Sequence, residues 1–158
     1  MILYTQTKTT GVEIMDEVKT ISGGVAVDDR GSIRFANDFD FEGVKRFYQI
    51  QNHEPMFIRA WHGHQHEAKY IYVAKGTAVV GVAPIEGYEN HEHTENRFVL
   101  SDQKPVVLYI PKAHFNGIMT FTPDTIVQVF STSTLEESLG DDIRLSYRYW
   151  DIWDVERR

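Results

Sequence analysis

Two histidines separated by one glycine lie in the run Arg59-Ala60-Trp61-His62-Gly63-His64, and Lys69 follows shortly after. In an extended strand, residues two apart point to one face, so His62 and His64 project together. Imidazoles paired in this way could ligate a metal or move protons near neutral pH. Lys69 shares its strand face with Ile71 and Val73, which turns it towards an interior. A cation there would repel a metal ion, and it would stabilise a negative charge that develops on a substrate. The combination points to acid–base chemistry on an organic molecule, without a metal. His66, His91 and His93 lie in polar surroundings and read as solvated.

These residues need short strands to hold them, and the chain supplies many. Apolar and β-branched stretches run over 12–21, 25–27, 32–36, 44–51, 56–64, 69–74, 77–83, 97–100, 106–110, 117–121 and 125–131, with turn residues between them. Asp28-Asp29-Arg30-Gly31 is a turn signal. Only Thr134–Gly140 reads as a short helix, with a capping-box start and a closing glycine. Residues 86–96 are polar and charged, as in an exposed loop. Such a series of short strands predicts an all-β fold, an antiparallel sandwich or jelly roll. At 158 residues the chain suits one domain, spanning 1–158. It has no cysteine, hence no disulfide and no thiol nucleophile. No stretch is apolar enough to cross a membrane and no signal peptide is evident, so a cytoplasmic location is the expectation. A net charge of −7 argues against general nucleic-acid binding, although a few arginines could still form a local site for a small anion.

The histidine pair, with Gly76 behind it, resembles the first metal-binding motif of the cupins. Pro111-Lys112-Ala113-His114-Phe115-Asn116 resembles the second. Against that frame Lys69 stands at a ligating glutamate position and Asn116 at a ligating histidine position. From Gly23 to Asp151 the chain is similar to the nucleotide-sugar cupins, namely the dTDP-4-dehydrorhamnose 3,5-epimerases and the dTDP-4-keto-6-deoxyglucose 3,4-ketoisomerases. Asp29-Arg30-Gly31 resembles an Asp-x-Arg-Gly element of both groups. Arg59-Ala60-Trp61-His62 resembles the epimerases' Arg-Gly-Leu-His, and Ile110-Pro111-Lys112 their Ile-Pro-x-Gly turn. Val44-Lys45-Arg46-Phe47-Tyr48 resembles the ketoisomerases' Ile-Lys-Arg-x-Tyr strand, and His62-Gly63-His64 their His-Ala-His.

The resemblance implies a cupin-type double-stranded β-helix acting on a nucleotide-linked 4-keto-6-deoxy sugar in deoxysugar and cell-surface polysaccharide biosynthesis, with no cofactor. His62 would be the base that removes a proton beside the ketone, and Lys69 the stabiliser of the enolate. Tyr48 or His64 would return the proton, and Arg30 and Arg59 would hold the pyrophosphate. His114 and Asn116 would contact substrate. Arg59 has the opposite strand parity to His62, so it joins the pocket only if the strand bulges or ends there. Asp151 or Asp154 in the tail could orient a histidine, while Trp61, Trp150 and Trp153 read as packing residues. The epimerases carry a downstream tyrosine acid, and Val129–Leu135 contains no tyrosine. The balance favours an epimerase-like enzyme. A 3,4-ketoisomerase, a non-catalytic sugar-nucleotide-binding cupin and, last, a metal cupin using His62, His64 and His114 are the alternatives. Members of these groups pair through their sheets, which implies a homodimer.

Overall fold

Alternating sequence becomes strand almost wherever it occurs in the computed structural model, which describes residues 17–91 and 95–158. The elements are β1 (Lys19–Ser22), β2 (Gly24–Asp28), β3 (Gly31–Phe35), β4 (Arg46–Ile50), β5 (Ile58–His64), β6 (Lys69–Lys75), β7 (Thr77–Pro84), β8 (Asn96–Ser101), β9 (Val106–Ile110), β10 (His114–Thr120), β11 (Ile126–Ser131), α1 (Leu135–Leu139) and β12 (Ile143–Arg144). A single 3-10 turn covers Tyr88–Asn90 in the polar loop. The first part of the strand expected over 12–21 lies outside the described residues, as does His93. Strand β10 starts earlier than its apolar run suggests, because His114–Asn116 pair with β5 on one side and β7 on the other.

Two antiparallel five-stranded sheets face each other, ordered β1-β9-β6-β11-β4 and β12-β5-β10-β7-β8, with β2 and β3 forming a separate hairpin. This is the cupin jelly roll that the sequence leads one to expect. Ile71, Val73, Val127 and Val129 from the first sheet interdigitate with Val80, Val82 and Ile118 from the second to make the inner core. The second sheet is buried on its outer face as well. There Trp61, Phe115 and Met119 pack under Trp150 and Trp153 of the carboxy-terminal tail, so the tryptophans are packing residues. Capping at α1 follows the sequence: Thr134 Oγ1 accepts from the Glu137 amide, and the Glu137 side chain accepts from the Thr134 amide.

This outer layer explains several glycines. A Cβ on Gly63 would lie 2.5 Å from the Phe115 ring, and one on Gly81 would lie 2.4 Å from Trp61. Gly63 therefore separates the two histidines because the Phe115 ring occupies the space beneath it. Trp61 is fully buried, and its Nε1 finds no hydrogen-bond partner among the described residues. Trp61→Ala should lower the free energy of unfolding by about 3–5 kcal/mol through the cavity it leaves. Trp61→Phe should cost far less, because it also removes an unpaired buried donor. Denaturant melts of the two variants check the difference.

Candidate active site

Strand β5 carries the centre of the site, and a bulge sets its geometry. His62 lies opposite Asn116 and Arg59 opposite Ile118, so the longer step on β5 is spanned by a shorter one on β10. The extra residue restores the parity that a regular strand would break. Arg59, His62 and His64 consequently line one cavity of about 270 Å³ between the sheets. Tyr48, Ile50, Lys69, Ile71, Asn116 and Ile118 complete its walls. Ser138 and Leu139 of α1, with Asp142 and Arg144, close one side.

Lys69 is the most consequential of these residues. It is 6% exposed, and its ammonium donates to Asn116 Oδ1 at 3.1 Å and lies 3.5 Å from His64 Nδ1. The two residues at altered ligand positions thus bond to each other across the pocket. Burial pulls the Lys69 pKa down, opposed in part by the negative charge of Glu67. Burial and the neighbouring Lys69 charge also lower the pKa of His62 and of His64, which favours neutral rings. Burial and the Glu67 charge push Tyr48 up to about 12, so its phenol stays protonated at neutral pH. Three cations (Arg59, Lys69 and Arg144) face the cavity against one carboxylate, Asp142, in a chain of net charge −7. Arg59 is steadied by donating from Nε to Asn52 Oδ1 at 2.7 Å, and Arg144 by Asp142 at 2.7 Å.

The structure thus brings together His62, His64, Lys69, Tyr48, Arg59 and Asn116. It does not bring Arg30 there. Arg30 is exposed in the turn of the β2–β3 hairpin and is paired with Asp28, whose short reach holds it locally. His114 is buried behind the wall, with Nδ1 2.8 Å from the Lys112 carbonyl, and does not line the cavity. Asp151 and Asp154 sit on the far side with the tail that covers the second sheet. The carboxylates near His64 are instead Glu67 at 3.2 Å and Asp142 at 3.8 Å. Sequence reasoning missed Glu67, Ser138, Asp142 and Arg144. Strand β12 is too short to show a period, and Glu67 lies in a turn. The one available signal was the charged run Asp141-Asp142-Ile143-Arg144 directly after the helix.

A histidine pair, a buried lysine and a basic rim between two antiparallel sheets define a cupin pocket protein. The chain belongs to the FdtA family (WxcM-like, C-terminal), which matches residues 15–151. No curated protein sequence matches it. Among solved structures it is similar to QdtA, a sugar 3,4-ketoisomerase from Thermoanaerobacterium thermosaccharolyticum in complex with TDP. The identity is 22%, covering 85% of this chain and 92% of that one, with a TM-score of 0.62. The WlaRB TDP-quinovose 3,4-ketoisomerase from Campylobacter jejuni is 19% identical over 87% of this chain and 99% of that one, with a TM-score of 0.64. The rmlC epimerase of Mycobacterium tuberculosis is 15% identical over 85% of this chain and 71% of that one, with a TM-score of 0.66. Among the described residues, no helix is long and apolar enough to cross a membrane.

The lowered histidine pKa values make stability depend on pH. His62, His64 and His114 all titrate below their ordinary 6.5 in the folded chain. Between 6.5 and those lower values the unfolded chain binds protons that the folded chain does not, so stability is full above 6.5 and declines as the pH falls. Thermal melts should show Tm dropping from about pH 7 to about pH 5. The slope should be shallower in a His62→Gln, His64→Gln variant.

Proposed function

We propose that the protein is a metal-independent isomerase of a nucleotide-diphosphate-linked 4-keto-6-deoxy sugar, working through an enolate in deoxysugar biosynthesis. The observation that carries this reading is the placement of His62 and Tyr48 on opposite walls of one cavity, with the Lys69 ammonium between its sides. His62, on the second sheet, is held neutral by burial and can take an acidic C–H proton beside the ketone. Lys69 supplies the positive charge that the enolate oxygen needs, from a buried position on the cavity wall. Tyr48, on the first sheet, stays protonated and can return a proton to the opposite face of the sugar, which inverts the centre. The cavity suits a sugar ring, so the diphosphate would lie at the mouth beside Arg59 and Arg144, whose guanidiniums match oxyanions.

A second reading, 3,4-ketoisomerisation, is favoured by one specific feature. His62 and His64 stand on the same wall, where one proton removed from C3 can be delivered to C4 on the same face while the hydroxyl proton moves from O3 to O4. The similarity to 3,4-ketoisomerases over most of their length supports it as well. Proton NMR of dTDP-4-keto-6-deoxyglucose with the protein in D₂O separates the two. Deuterium at C3 and C5 with inversion is the expected result for the epimerase. Loss of the C3 hydrogen with a new ketone there, and a new C–H or C–D at C4, marks the ketoisomerase, and no exchange with retained binding marks a binding module. For the epimerase, Tyr48→Phe should abolish inversion while leaving C–H exchange, because abstraction and return use different walls.

The protein also suits a homodimer. The outer face of the first sheet and the segment beside it expose Phe47 (69%) and Phe41 (59%), in tilted and edge-on contact with Phe39 and Phe130. The β2–β3 hairpin presents Val27 (75%) and Ile33 (66%). Contiguous apolar surface of this kind is best covered by a second copy. Light scattering should therefore report a dimer for the wild type and a shift towards monomer for Phe47→Glu.

A further inference from the structure

Glu67 has no place in the chemistry described so far, yet its side chain is completely buried. It lies in the turn between β5 and β6 and gathers three other elements around one carboxylate. Ser131 on β11 donates to Oε1, Ser138 on α1 donates to Oε2 at 2.9 Å, and Arg46 on β4 approaches Oε1 at 3.5 Å. Its Oε2 is also 3.2 Å from His64 Nε2. The other ring nitrogen, Nδ1, lies 3.5 Å from the Lys69 ammonium.

The two contacts constrain the ring in the same sense. A carboxylate only accepts, so Nε2 must carry a proton to bond with Glu67. An ammonium only donates, so Nδ1 must be bare to receive it. The opposite tautomer would set a lone pair against the carboxylate and an N–H against the ammonium. A doubly protonated ring would keep the good contact with Glu67 and acquire a repulsive one with Lys69.

We propose that Glu67 is the positioning residue of His64, fixing it as the neutral Nε2–H tautomer with the Nδ1 lone pair turned to Lys69 as its proton-exchanging atom. Ser131, Ser138 and Arg46 hold the carboxylate in place, in the way that outer partners orient functional histidines elsewhere. The charged and titratable groups around His64 are Lys69 on β6, Glu67 itself, Asp141 and Asp142 after α1, His62 on β5, and His114 directly opposite on β10. Among them Glu67 and the two aspartates favour the proton on His64, while Lys69 opposes it. Losing the Glu67 charge should therefore lower the His64 titration midpoint. The assignment deepens the acid–base reading above, but its first test needs no substrate, so the two can fail separately.

The test is ¹H–¹⁵N long-range NMR of the full chain labelled at histidine, without ligand. The expected wild-type result is a neutral Nε2–H signature for His64. Glu67→Gln should move its midpoint to lower pH, and Glu136→Gln, which removes an exposed carboxylate of α1, should leave tautomer and midpoint in place. If the ketoisomerase reading holds, in which His64 takes part in proton transfer, Glu67→Gln should lower kcat roughly 10- to 100-fold. KM should stay within about threefold, and the part of the pH dependence of kcat that His64 sets should move to lower pH, because removing a negative neighbour lowers its pKa. An Nδ1–H signature in the wild type overturns the proposal, and it does so even where the variant does not fold. An unchanged midpoint in Glu67→Gln, or an equal shift in Glu136→Gln, overturns it as well.

Discussion

The placement of one ammonium group governs the rest of the site. Lys69 is removed from water between two sheets, where an isolated charge is strongly disfavoured, and its direct partners are a neutral amide and an imidazole. Among the described residues, the carboxylate charge that reaches it comes from Glu67 and Asp142. The pocket is thus left short of negative charge at the spot where an enolate oxygen would form. A ground-state ketone does little to correct that shortage, and the enolate corrects it fully. Stabilisation that grows along the reaction in this way is the kind that lowers a barrier. Burial and the same ammonium both lower the pKa of His62 and His64, so in the reading proposed above one buried cation would prepare both the base and the site of the charge it creates.

Such a device works only if the strand bearing the histidines cannot drift. Strand β5 is held between β12 and β10, and its sheet is packed on both faces. On the outer face, Gly63, Gly81 and Gly117 leave room for the rings of Phe115, Trp61 and Trp153. A side chain at any of them would meet an aromatic carbon closer than 3 Å. The tail that supplies Trp150 and Trp153 therefore acts on the pocket from behind, by fixing the sheet and not by contributing a group to it.

The strand pattern was legible because turn residues punctuate nearly every alternating run, and the helix because Thr134 and Glu137 spell out its cap. The histidine pair and Lys69 were legible for the same reason, since a period of two predicts a shared face. Arg59 marks where that rule stops. Its membership of the pocket depends on a bulge, which is a property of the pairing with β10 and not of β5 alone. Arg144 and Asp142 come from a two-residue strand, and Glu67 from a turn, where no periodicity exists to be read. Arg30 shows the converse. A local motif resemblance selected an arginine that, within one chain, pairs with its own turn.

Epimerisation and ketone migration begin with the same proton removal and differ in where the proton is returned. Return to C3 from the opposite wall inverts that centre, whereas delivery to C4, with the hydroxyl proton passing from O3 to O4, carries the ketone to C3. This cavity has a donor on each side: Tyr48 on the first sheet and His64 beside His62 on the second. Burial keeps the Tyr48 phenol protonated, whereas burial and the Lys69 charge turn His64 towards its neutral form, in which the ring could accept a proton. The reaction is then decided by which donor the sugar's C3 and C4 approach. That orientation is set at the mouth, where Arg59 and Arg144 would grip the diphosphate some distance from the ring. Binding contacts remote from the reacting carbons would thus select the product, by choosing which of the two donors one unchanged pocket brings to the sugar.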